Sequence, residues 1–145
     1  MTQPQPFQDI AENLTFLDDW EDRYRYLIEL GQGLPKLTEA ERSPDNKVHG
    51  CMSQVWLVAE RYEVNGAPGL KFRGESDAMI VQGLVAVLLA LYSDRTAQDI
   101  ADTDAIVLFD ELGLREHLTT QRSNGLVAMV NRIRNEARAG VARSD

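Results

Sequence analysis

Every residue from Ala78 to Tyr92 is apolar except Gln82 and Gly83. A helix that is apolar on almost every side cannot lie on a surface and has to be buried. A bilayer span needs about 20 such residues, so the run is too short to cross a membrane and reads as the central core helix of a globular fold. The rest of the chain must therefore wrap this helix. Asp77 reads as its N-cap, Asp94 bounds its far end, and Gly83 marks a point where another element can approach closely.

The flanking segments supply the wrapping. A short helical turn around Phe7 to Leu17 precedes a helix begun by the capping pair Asp18 and Glu21. In that helix Trp20, Tyr24, Leu27 and Ile28 recur at helical spacing until Gly31, Gly33 and Pro35 stop it. Residues 37 to 50 are polar and broken by Pro44, an ordered loop or helical turn leading into Cys51. Val55 to Val64 is rich in β-branched and aromatic residues, 65 to 69 supplies turn chemistry, and Leu70, Phe72 and Gly74 then alternate with charged residues. This predicts an antiparallel hairpin. After the central helix come a short helix capped by Thr96, a helical stretch over 106–118 interrupted by Gly113, and a final amphipathic helix carrying Leu126, Met129, Val130, Ile133 and Ala137. Strands are segregated from helices, so the expected architecture is α+β, with helices packed on one face of a small antiparallel sheet.

With 145 residues the chain reads as one domain, residues 1–6 forming a flexible tail and 139–145 a frayed C-terminus. Acidic residues outnumber basic ones 23 to 15, and the net charge of −8 disfavours nucleic acid and anionic membrane surfaces as partners. The polar, proline-rich opening has no targeting pattern. A single cysteine forms no internal disulfide and persists best where thiols are kept reduced, which points to the cytoplasm.

Cys51 lies between the polar loop and the first strand. Taken alone, a lone cysteine is more often a small buried hydrophobe than a working thiol. Gly50 just before it, and His49, Ser53 and Gln54 around it, suit a thiol that must reach a partner. An unperturbed thiol is only a few per cent ionised at neutral pH, so reactivity requires a local donor or cation, and His49 is the nearest in sequence. A cysteine hydrolase would need His49 or His117 held beside the thiol. One cysteine and two histidines lack the spacing of a zinc site, and no phosphate-binding glycine loop occurs.

The segment from Arg42 through Val48-His49-Gly50-Cys51-Met52-Ser53-Gln54 to Trp56 closely resembles the cysteine-loop motif of the SufE family of sulfur acceptor proteins. The resemblance extends to residues 20–24 and 28–35 upstream and to 74–77, 80–84 and 122–126 downstream, nearly the whole chain. It implies an accessory to a pyridoxal-phosphate-dependent cysteine desulfurase of the SufS or CsdA type, the cofactor belonging to that partner and none to this chain. Cys51 would take persulfide sulfur, stimulate the desulfurase and relay sulfur toward iron–sulfur cluster assembly, for example to a SufBCD-type complex. His49, Gly50, Met52, Ser53 and Gln54 would form the supporting loop. Arg122 and Asp77 would lie near the partner surface or the loop, Asp77 serving chiefly as a helix cap. The family fold is similar to that of IscU-type scaffolds, but one cysteine does not hold a cluster. The resemblance also implies a thiol shielded at rest, so that docking reorders residues 47 to 53. A non-catalytic allosteric activator and a partner-independent thiol hydrolase stay open as alternatives, as does a homodimer.

Overall fold

The structure, a computed structural model, describes residues 3–51 and 53–142. Helix α1 (Gln5–Phe16) and α2 (Trp20–Gln32) precede a loop with one 3-10 turn, Pro44–Asn46. Strands β1 (Val55–Val64) and β2 (Ala67–Ser76) form the hairpin, followed by α3 (Met79–Tyr92) and a two-residue strand β3 (Arg95–Thr96). Then come α4 (Ala97–Asp102), α5 (Ala105–Glu111), a second 3-10 turn (Arg115–His117) and the long α6 (Thr120–Ala142).

The sheet is antiparallel throughout, in the order β1-β2-β3. Its turn is tighter than the 65–69 segment read from the sequence. Asn65 and Gly66 alone connect the strands, both at positive φ (52° and 80°), the two-residue geometry that matches strand twist. Val55, Leu57, Leu70 and Phe72 point to the buried face, where α3 and α6 cover them. The opposite face carries Glu60, Lys71 and Arg73, and the 37–47 loop lies across part of it. Arg73 pairs with Glu41 and Glu60, while Glu75 accepts from the Leu37 amide at 2.9 Å and pairs with Arg42 at 3.3 Å. The result is the α+β arrangement expected, helices on one sheet face.

Helix α3 is the central element: Leu84, Val85, Val87, Leu88, Leu91 and Tyr92 have no exposed surface. Helix α2 crosses it at two facing glycines. A Cβ on Gly83 would sit 2.3 Å from the Leu27 carbonyl oxygen, and one on Gly31 2.7 Å from the Gly83 nitrogen. Gln82, the polar interruption in the run, spans the junction by accepting from the Ser76 amide and donating to Gly31 O at 3.4 Å.

Several local expectations are corrected. The α2 cap is Asp19, not Asp18, and it accepts from the Glu21 amide. Asp77 does not cap α3: the N-cap is Ala78, and Ser76 Oγ accepts its amide at 3.2 Å. The 106–118 stretch is α5 plus a separate 3-10 turn, with Gly113 at φ 71° between them. Helix α1 begins inside the 1–6 segment and α6 continues past 139 to Ala142. Among the described residues no helix is long and apolar enough to cross a membrane.

Candidate functional site

Residues 47–51 run from the sheet edge over α6, and Ser53 and Gln54 lead into β1. Lys47 bridges Trp56, and the Val48 amide donates to Val55 O at 2.8 Å, seating buried Val48 under the arm. At Gly50 the chain turns with φ 94°, a left-handed angle that disfavours a side chain. A Cβ there would in addition meet Ala128 of α6 at 3.3 Å. The next residue, Cys51, rests on Gly125 of the same helix. A Cβ on Gly125 would lie 3.4 Å from Cys51 Sγ, and the thiol donates to the Gly125 carbonyl at 3.5 Å.

Cys51 is half-buried, and burial pushes its thiol above the ordinary value. A donated S–H bond acts in the same direction, because it holds the neutral form. The resting thiol is therefore a protonated, poorly nucleophilic group. It opens on a cavity of about 260 Å³, walled by Val81 of α3 and Met129 of α6 and rimmed by Ser53, Thr119, Gln121 and Arg122. Thr119 sits just before α6, its Oγ accepting the Arg122 amide at 3.2 Å. Arg122 thus lies in the first turn of the helix, at the cavity mouth. Among the described residues its guanidinium joins no ion pair.

The outgoing arm is tied down by Asp77. Its Oδ1 accepts the Gln54 amide at 3.0 Å, and its own amide donates to Gln54 O at 3.2 Å. This replaces the capping role read from the sequence: the carboxylate fastens the cysteine loop. Gly50, Cys51, Ser53, Gln54, Asp77 and Arg122 are thus gathered around one cavity and its loop, whereas Met52 lies outside the described residues. His49 is exposed and makes no hydrogen bond to Cys51. His117 stacks on Trp20 with centroids 3.6 Å apart, and its carbonyl accepts from Tyr24. Among the described residues the cysteine–histidine hydrogen bond a thiol hydrolase needs is not formed, and no group of three or more metal-ligating side chains occurs.

Two residues of the site were not singled out in the sequence. Gly125 was legible only as part of a motif, although a glycine inside an amphipathic helix is itself a sign of close approach. Arg132 gave no local sign. Its guanidinium reaches back 85 and 87 positions to donate to Lys47 O at 3.1 Å and Asp45 O at 2.7 Å.

Residues 8–137 match the family model for SufE, described as an Fe–S metabolism associated domain. An uncharacterized SufE-like protein of Rhizobium etli is 55% identical over 133 residues, spanning 92% of this chain and 90% of its own. Another, from Rhizobium meliloti, is 52% identical over 128 residues, spanning 88% and 91%. The solution structure of a hypothetical protein from Thermus thermophilus superposes with a TM-score of 0.75 over 97% of this chain and 99% of that one, at 19% identity, and so shares the fold. A half-buried single cysteine on a fastened loop, in a chain matched over nearly its whole length, leaves one conclusion: this protein belongs to the SufE family, associated with iron–sulfur metabolism and the transfer of sulfur.

Proposed function

We propose that Cys51 accepts sulfur from a persulfide on a pyridoxal-phosphate-dependent cysteine desulfurase and relays it toward iron–sulfur cluster assembly in the cytoplasm. The cofactor stays with the partner. The observation that supports this most is the position of the chain's sole thiol, held against the Gly125 carbonyl beside a cavity whose rim carries Arg122.

The step is a thiol exchange. The Cys51 thiolate attacks the outer sulfur of the partner's persulfide, the partner's S–S bond breaks as a new one forms at Cys51, and the partner's cysteine leaves as thiolate. Nothing is oxidised or reduced overall. The proton first leaves Cys51, and the raised thiol value makes this unfavourable in the resting loop. Lifting the thiol off Gly125 and into the more polar setting of Arg122 lowers that cost. A resting thiol that is protonated and sheltered avoids oxidation, and docking exposes it at the moment of use.

The test is desulfurase turnover with free cysteine as substrate. Wild-type protein is expected to raise turnover and Cys51→Ser to leave it at the level of the desulfurase alone. Stimulation that survives Cys51→Ser would instead make this chain an allosteric activator carrying no sulfur.

A further inference from the structure

The cysteine loop lies along a single stripe of α6. Gly125 sits under Cys51, Ala128 under Gly50, and Arg132 under the carbonyls of Lys47 and Asp45. Spacings of three and four residues keep these positions on one helix face. The two small residues allow close approach but give little lateral hold. The fastening is polar and sits at the ends: Asp77 on the outgoing arm, Arg132 on the incoming one. Arg132 is itself aimed by Glu136, one turn on, at 3.4 Å, and Glu136 also pairs with Arg61 of β1 at 3.5 Å.

We propose that Arg132 is a positioning residue for sulfur acceptance: its fork to Asp45 O and Lys47 O sets the depth at which Cys51 is tucked against α6, and release of that fork is the step that delivers the thiol. The idea rests on Cys51 being the acceptor. A guanidinium bonded to two backbone carbonyls makes charge-assisted hydrogen bonds that fix the arm in two dimensions. Such bonds exchange for water or partner groups at small net cost, whereas Val48, the buried apolar side chain of the arm, would have to be exposed to leave the core. The segment from His49 to Cys51 therefore opens while Val48 and the core beneath it stay closed.

The experiment measures iodoacetamide alkylation of Cys51 across pH in the isolated full chain, with melting recorded on the same samples. Arg132→Met keeps the stem and removes both donors. It is expected to alkylate about tenfold faster at neutral pH, with the midpoint of its rate–pH profile moved down toward an ordinary thiol. Arg132→Lys, able to reach one carbonyl, is expected to fall between, and it keeps the test open should the Met variant fold poorly. Arg61→Ala removes the other cation on Glu136 without touching the loop and is expected to match wild type. Equal rates in wild type and both Arg132 variants would overturn the proposal whatever the melting shows, and so would equal acceleration by Arg61→Ala. The acceptor reading fails separately, by absence of sulfur on wild-type Cys51 after incubation with a desulfurase, and that result leaves the alkylation rates as they are.

Discussion

Two crossings between backbone segments organise this molecule, and glycine stands at both. Where α2 crosses α3, Gly31 and Gly83 face each other so tightly that any side chain would strike backbone. Around them lie Leu27, Leu84 and Leu88, each almost or entirely out of solvent. Where the cysteine loop crosses α6, Gly125 leaves ordinary van der Waals room for Cys51, and the holding contacts are hydrogen bonds to exposed or partly exposed groups. The first crossing is locked by burial, which nothing reverses short of unfolding. The second is latched by polar bonds that water or a partner can replace. The missing Cβ is thus indispensable at the locked crossing, while at the other the polar bonds decide between holding and release.

The sharpest way to break that comparison is to add the same methyl group to each crossing. Gly83→Ala drives a carbon into the Leu27 carbonyl and is expected to cost about 3 kcal/mol of stability in denaturant unfolding. Native alkylation of Cys51 should change little. Asp77→Ala removes the acceptor for the Gln54 amide and is expected to cost about 1 kcal/mol while speeding alkylation, with Asp77→Asn near wild type because it keeps an acceptor. Were Asp77 a helix cap instead, stability would fall with no change in alkylation. Gly125→Ala should be neutral or stabilising by about 0.5–1 kcal/mol, since alanine favours a helix interior, yet slow alkylation by covering one side of the sulfur.

The smallest effect belongs to the outer face of the sheet, remote from both crossings. The Arg73 guanidinium holds the Glu41 carboxyl down at about 2, against an ordinary value of 4.5. A depressed carboxyl contributes stability that is fully present above 4.5 and is lost as pH falls toward 2. Wild type is therefore expected to lose stability over that interval more steeply than Glu41→Gln, in acid titrations followed by circular dichroism. At neutral pH Cys51 should be alkylated at the same rate in Glu41→Gln as in wild type.

The sequence made the locked crossing easier to read than the latched one. An apolar run broken only by Gln82 and Gly83 is a local pattern, so α3, its burial and the close approach at Gly83 followed from residue types alone. The hairpin followed in the same way from alternation, apart from the exact turn, where Ala67 to Gly69 continue the ladder rather than bend. The latches are not local. Asp77 stands one residue before the N-cap of an apolar helix and looks like the cap, but its partner amide is 23 positions away at Gln54. Arg132 sits on an ordinary polar stripe of α6, and its acceptors are backbone carbonyls, which leave no mark in residue type. Strand β3 is two residues long, too short for alternation to reveal. Cys51 itself was prominent as the sole cysteine after a glycine, while its raised thiol value comes from burial and its hydrogen-bond partner, Gly125 O, lies more than 70 positions downstream.

The measurement that bears most directly on the central claim is the intact mass of this protein after incubation with a cysteine desulfurase and free cysteine, beside Cys51→Ser treated identically. The account predicts one added sulfur atom on the wild type, removed by a reducing thiol, and none on the variant. Unchanged mass of the wild type while desulfurase turnover still rises would contradict it.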